Sequence, residues 1–359
     1  MVSLADVVKV LKFESAMKIA AKYGESVLLL GNGFSIGAHP AFKYGTLYEQ
    51  AVEAGLPDHV QQLFAKYGTA NFERVLRQLD EGIWLATVYE LSATNPKKSM
   101  KRDYRALKKA LASAIAKVHP PSRATMDGGI LKACAEFLIR YQGVYTTNYD
   151  LLLYWASLAK SPKFPFEDGF LREGNQDYCV FQSPENLGKR IHFLHGALHL
   201  YVVDGEVRKR VWNSTGELIV DQVRQALESK EFPLIVSEGD AVKKEARIES
   251  SSYLTWAHEH FERAEGPLFI YGSSLSPEDE HLWRAIVENP GFSRVFVGIH
   301  GDPDSESAQE IMFRSRKLAK RRSMLKLKKR YKHFPDLRVS YFDSDSAGVW
   351  TPSEDTLAP

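Results

Sequence analysis

Leu28-Leu29-Leu30-Gly31-Asn32-Gly33-Phe34-Ser35 decides how this chain is read. Its leucines run straight into a glycine-spaced turn, the pattern of a strand buried on both faces that gives way to a helix. Three further segments repeat the arrangement in order: Thr146-Thr147-Asn148-Tyr149-Asp150, Leu194-His195-Gly196 and Ile270-Tyr271-Gly272-Ser273-Ser274-Leu275. Each follows an apolar run and closes on small or polar residues. Parallel sheets set such strand ends side by side, and open α/β sheets bind ligands in the crevice beyond the carboxyl ends. Four in series point to a single nucleotide site.

Working outward, strands are expected at 27–30, 143–146, 191–194, 234–236, 268–271, 294–299 and 337–342. Helices such as 253–264 and 279–287 lie between them. The alternation predicts an α/β fold, a doubly wound, mostly parallel, Rossmann-like sheet. Ser3 with Asp6 resembles a capping box that opens a helix carrying Val7, Val8, Leu11, Met17 and Ile19 and ending near Gly24. From Thr46 to about Tyr141 the apolar period is helical, interrupted at Asn95-Pro96 and Pro120-Pro121. Asp204-Gly205 sits between two alternating runs, the signal for a two-residue type I′ hairpin. The expected organisation is one domain over 1–350, with a helical insertion at about 46–141 and a hairpin insertion at about 197–213. A flexible tail is expected at 351–359.

The chain has 359 residues, a net charge of +2, 44% hydrophobic and 26% charged residues. That balance is ordinary for a globular protein and does not point to nucleic acid. Two cysteines, Cys134 and Cys179, exclude a disulfide scaffold and a four-cysteine zinc site, and fit a reducing compartment. The start, Met1-Val2-Ser3-Leu4-Ala5-Asp6, lacks a basic segment followed by an apolar one, and no apolar run approaches the ~20 residues that span a bilayer. A cytoplasmic protein without membrane contact is expected.

Taken alone, Gly31-x-Gly33-x-x-x-Gly37 has two readings. It is either a phosphate-cradling turn at a helix N-terminus or a turn that lets a strand pack on a helix. Asn148-x-Asp150 is equally a helix cap out of context, and His195 a hydrogen-bonded core histidine.

Together the four segments resemble the sirtuin superfamily, and more narrowly the zinc-less bacterial sirtuin-like proteins associated with anti-phage defence. The sirtuin pattern G-A-G-x-S followed by P-D-F-R is matched by Gly31-Asn32-Gly33-Phe34-Ser35 and Pro40-Ala41-Phe42-Lys43. Q-N-x-D is matched by Thr147-Asn148-Tyr149-Asp150, H-G by His195-Gly196, and G-T-S-L by Gly272-Ser273-Ser274-Leu275. The zinc-binding cysteine pairs are missing, and Ala41 and Lys43 replace the Asp and Arg of the first motif. These departures weaken a protein-deacylase reading and leave cleavage of NAD+ intact.

The resemblance implies an NAD+ glycohydrolase that uses NAD+ as substrate and needs no zinc. It implies that Asn148 holds the ribose or the water, that Asp150 orients the nicotinamide side, and that His195 is the general base. Imidazole suits that role because its ordinary pKa of ~6.5 lies near operating pH. By the same resemblance Gly31, Gly33 and Ser35 cradle phosphate, Phe42 covers the nicotinamide, and Asn32, Phe34 and Thr147 belong to the cofactor-binding set. Gly272, Ser273 and Ser274 serve the adenosine half, and Asp343 and Ser344 the adenine pocket. A homo-oligomer and a HerA-type ATPase are the partners it suggests. Rival readings are an NAD+ or ADP-ribose sensor and an acceptor-dependent deacylase or ADP-ribosyltransferase.

Three signals stay weaker. His192, His195 and His199 invite a metal, but Gly196 and the hairpin argue against one helix presenting all three, so no metal is expected. Glu238-Gly239-Asp240 followed by Lys243-Lys244 either borders the pocket or is a solvated loop. The basic run from Arg314 to Lys332 is either a solvated helix face or a nucleic-acid surface.

Overall fold

The apolar run at Val27 enters a sheet in which every strand is parallel to its neighbour. The computed structural model describes residues 9–91, 96–159, 166–174, 176–183, 188–211, 216–238 and 241–352. Among them, the strands of the main sheet are β1 (Val10–Lys12), β2 (Val27–Leu30), β3 (Gly143–Thr146), β6 (Arg190–Phe193), β9 (Leu268–Tyr271), β10 (Arg294–Ile299) and β11 (Arg338–Asp343). Their spatial order is β1-β11-β10-β9-β2-β3-β6. A second, antiparallel sheet joins β4 (Phe170–Leu171), β5 (Tyr178–Phe181), β8 (Glu206–Arg210) and β7 (Leu200–Val203) in that order.

Helices cover both faces of the main sheet. They are α1 (Phe13–Ala20), α2 (Asn32–Ala38), α3 (Tyr44–Glu53), α4 (Asp58–Lys66), α5 (Phe72–Val88), α6 (Pro96–Val118) and α7 (Gly128–Leu138). The remainder are α8 (Leu152–Ser157), α9 (Ile219–Glu228), α10 (Ala241–Glu249), α11 (Ser252–Glu262), α12 (Glu280–Glu288) and α13 (Glu306–Leu325). Each residue of β2, β3 and β9 is buried, as a parallel sheet with both faces covered requires.

Register positions the site. Leu30 pairs with Thr146 on one side and Tyr271 on the other, and Thr146 pairs with Phe193. The carboxyl ends of β9, β2, β3 and β6 are therefore level. The chain winds outward from β2 through β3 to β6, and in the other direction from β9 through β10 to β11. The switch point between β2 and β9 is where such sheets open a ligand crevice.

Three expectations change. Residues 3–8, with the capping box, lie outside the described residues, and Leu11 is in β1 rather than a helix. Pairing of Val10, Leu11 and Lys12 with Tyr341, Phe342 and Asp343 supplies hydrogen bonds that outweigh the local helical period. Residues 234–236 form no strand. Leu234 N and O and Val236 N bond to Leu200, Ala197 and His195, which laces this segment onto the turn after β6. The hairpin is present, with Asp204 and Gly205 at φ of 51° and 84°, but it continues into β5 and β4, which the sequence reading left out. The tail from 353 onward, with Trp212, Gly239 and Asp240, lies outside the described residues.

Candidate active site

Backbone contacts bind the four strand ends into one floor. Gly31 N donates to Tyr271 O at 2.9 Å and Gly33 N to Gly272 O at 2.7 Å. A Cβ on Gly33 would lie 2.6 Å from Gly272 Cα, so the first and fourth segments meet main chain to main chain. Thr147 N donates to Leu30 O at 3.1 Å, and Leu194 N to Thr146 O at 2.8 Å. Above this floor lies a cavity of about 360 Å³. Gly31, Asn32, Gly33 and Phe42 line it from the first segment, Thr147, Asn148, Tyr149 and Asp150 from the second, His195 from the third, and Gly272, Ser273 and Ser274 from the fourth. α3, α5 and α6 close the top through residues including Tyr44, Leu47, Phe72, Glu73 and Leu111.

The second segment is tied to the first by a chain of hydrogen bonds. Asn148 Nδ2 donates to Gly31 O at 3.1 Å and to Ser35 Oγ at 2.8 Å. Ser35 Oγ donates in turn to Asp150 Oδ2 at 2.5 Å, and Asp150 Oδ1 accepts from Leu152 N at the start of α8. Burial raises the Asp150 pKa, while the Ser35 and Leu152 hydrogen bonds pull it back. Asp150 thus does both things foreseen for it in different readings, holding the start of a helix and lining the cavity. The amide nitrogen of Asn148 is committed to the protein, which leaves its carbonyl oxygen for a ligand.

His195 is 1% exposed. Its Nε2 lies 3.0 Å from His281 Nε2 and 3.8 Å from Asp279 Oδ1. Burial lowers its pKa well below the ordinary histidine value, and the Lys244 charge, His281 and His258 add to this. Lys244, 0% exposed, donates at 2.7 Å both to Asp279 Oδ1 and to Glu73 Oε2. Burial works against its charge, but the two carboxylates outweigh burial and raise its pKa. Glu73 is shifted upward, mainly by burial.

Some sequence-picked residues stand elsewhere. Phe34 turns away from the cavity and packs on Trp350, with ring centroids 4.7 Å apart. Ser35 is fully buried and holds Asp150 instead of facing a phosphate. The amides of Gly31, Gly33 and Phe34 bond to Tyr271, Gly272 and Gly31 carbonyls, so the glycine loop is a packing turn more than an anion cradle. Asp343 pairs with Lys12 at 2.7 Å, and its neighbour Ser344 lines the cavity in its place. His192 stacks on Tyr145 and His199 on Tyr154, so the three histidines once considered for a metal do not converge.

Glu73, Asp279 and His281 were not picked from the sequence, and Lys244 only within a segment that either borders the pocket or is a solvated loop. Asp279-Glu280-His281, directly after the fourth segment, was the available signal. Among the described residues one group of ligand atoms, from His195, Asp279 and His281, lies within 4.8 Å of one another and is small enough to surround an ion. The Lys244 ammonium on Asp279 already supplies a cation there.

Part of the basic run is structural, while Arg316, Lys317, Lys320, Lys328, Lys329, Arg330 and Lys332 are exposed. Arg322, fully buried, donates to the carbonyls of Ile286, Val287, Asn289 and Pro335. Arg321 pairs with Glu280 and Lys326 with Asp336. Among the described residues no helix is long and apolar enough to cross a membrane.

Fold and cavity together define a parallel α/β protein with a cleft at its topological switch point, lined by apolar and polar side chains. The chain belongs to the family described as domain of unknown function DUF4917, whose model matches residues 28–350. No curated protein matches it. Among solved structures it is similar to a Sir2 enzyme from a study of the mechanism and regulation of those enzymes. That match has 14% identity and a TM-score of 0.36, and covers 88% of this chain and 99% of the other. Sir2Tm bound to a propionylated peptide matches at 16% identity and a TM-score of 0.35, covering 85% and 97%. At these scores the likeness decides nothing about ligand or reaction.

Proposed function

We propose that this protein is an NAD+ glycohydrolase, cleaving NAD+ to nicotinamide and ADP-ribose. The observation that carries the reading is the convergence of Asn148, Asp150, His195, Phe42 and Ser273 on one cavity at the switch point. The cavity is of ordinary ligand-pocket size. Phe42 and Tyr44 offer aromatic surface to the pyridinium ring, and the Asp150 and Asp279 carboxyl groups border the same space. Ser273, Ser274, Ser307 and Ser344 offer hydroxyls to the nucleotide's other half.

Cleavage builds positive charge on the ribose ring as the nicotinamide leaves neutral. Carboxylates beside the cavity favour that charge, and they cost little reorganisation when held in advance. Asn148 Oδ1 takes a ribose hydroxyl or the water, and His195 takes the proton. Removing a positioned base costs ~10²–10⁴ in rate. The chain's resemblance to sirtuin-like defence proteins extends the proposal to NAD+ depletion during phage infection, in a homo-oligomer working with a HerA-type ATPase in the cytoplasm.

The test incubates purified protein with NAD+, with and without an acyl-lysine peptide, and follows products by chromatography. Nicotinamide and ADP-ribose without peptide, lost in His195→Ala, support the proposal. Turnover only with peptide would replace it by an acceptor-dependent transferase or deacylase.

A further inference from the structure

The residues behind His195 form a single hydrogen-bonded line that ends at the cavity. Tyr149 Oη contacts Val236 O at 2.7 Å and Glu73 Oε1 at 2.8 Å. Lys244 continues the line, donating at 2.7 Å to Glu73 Oε2 and to Asp279 Oδ1, and that same Asp279 oxygen faces His195 Nε2 at 3.8 Å.

A neutral imidazole carries one proton. At the 3.0 Å contact between His195 Nε2 and His281 Nε2, one ring must donate and the other accept. If His281 donated, the His195 proton would sit on Nδ1, and neither ring nitrogen of His195 would be free to act as a base. If His195 donates, Nδ1 keeps its lone pair. The fixed carboxylate beside Nε2 favours a proton at that nitrogen, the same logic by which a buried aspartate sets the tautomer of a catalytic histidine.

We infer that Asp279, held by Lys244, is a positioning residue that keeps His195 in the Nε2–H tautomer, with His281 as the acceptor and Nδ1 as the basic nitrogen. The inference rests on the glycohydrolase reading of this site and names its base. A water O–H proton passes to His195 Nδ1, the water oxygen bonds to the ribose anomeric carbon, and the bond to nicotinamide breaks with its electron pair on the ring nitrogen. The resulting imidazolium lies beside Asp279 and returns its proton to solvent, so NAD+ and water give ADP-ribose, nicotinamide and one proton. The groups around the ring are His281, Asp279, Lys244 and His258, the last committed to Leu194 O at 2.8 Å.

The tautomer is read directly on the full chain labelled with ¹⁵N-histidine, by long-range ¹H–¹⁵N correlation, with His195 assigned from the signals lost in His195→Gln. The expected wild-type pattern is Nε2–H. Asp279→Asn is expected to move His195 toward Nδ1–H and to lower kcat for nicotinamide release ~10²-fold or more while KM changes little. Should that variant unfold because Lys244 is left unpaired, the Lys244→Met, Asp279→Asn double variant removes both charges and is expected to show the same tautomer change. An Nδ1–H pattern in the wild type, or an unchanged tautomer without Asp279, overturns the inference. So does one zinc per chain by elemental analysis, because a metal on Nε2 excludes the proton. The spectrum needs no turnover, so failure of the NAD+ reading leaves this result legible.

Discussion

Gly196 shows how tightly single residues define this site. Its φ is +73°, and a Cβ there would fall 1.9 Å from Leu234 O, inside the contact that fixes the turn carrying His195. Gly196→Ala is expected to destabilise the protein by about 2 kcal/mol or more, read as a lower urea midpoint; an unchanged midpoint would contradict the packing described. Ser35→Ala removes the hydroxyl between Asn148 and Asp150, and a loss of about 1–3 kcal/mol is expected in the same measurement. Gly196, Asn148 and His195 were legible in the sequence because each closes an apolar strand. Glu73 and His281 were not, since they come from helices far apart in the chain and meet Lys244, itself readable only as bordering the pocket or as a solvated loop, through tertiary packing. Ser35 and Phe34 were assigned to the ligand because the motif names positions, whereas the direction of each side chain is set by what α2 packs against.

At the scale of elements, α13 separates structural from solvated charge. Arg322 saturates carbonyls at the end of α12, and burial lowers its pKa to about 10, which leaves it a cation. Arg322→Leu strands those acceptors and is expected to cost about 3 kcal/mol or more. Lys328→Ala and Lys329→Ala, at exposed positions, are expected to stay within about 0.5 kcal/mol. Equal effects from the three substitutions would contradict this division. The central strands were readable because burial on both faces leaves an uninterrupted apolar run. β1 was not, because a three-residue edge strand owes its conformation to β11, and residues 234–236 were misread because an apolar triplet carries no record of what it bonds to.

Across the whole molecule, buried histidines make stability depend on pH. Burial lowers His119 and His258 to about 4, and holds His192, His195, His199 and His281 well below the ordinary histidine value. Their folded values lie below the unfolded value of ~6.5. The unfolded chain therefore gains protons first, and stability present above that pH is lost as pH falls toward 4. Each histidine adds a slope of ~1.4 kcal/mol per pH unit while it titrates only in the unfolded chain. Glu73 and Asp150, shifted upward by burial, oppose this at two positions. Tm by calorimetry is expected to drop steadily from pH 7 to 5, and a flat profile would contradict the buried, neutral histidines. The central claim, that four strand ends build one NAD+ site, is tested most directly by titrating NAD+ into His195→Ala in a calorimeter. The account predicts binding at one NAD+ per chain, competed by ADP-ribose and weakened by Asn148→Ala in the same background. Absence of binding to a folded His195→Ala protein and to the wild type alike would contradict it.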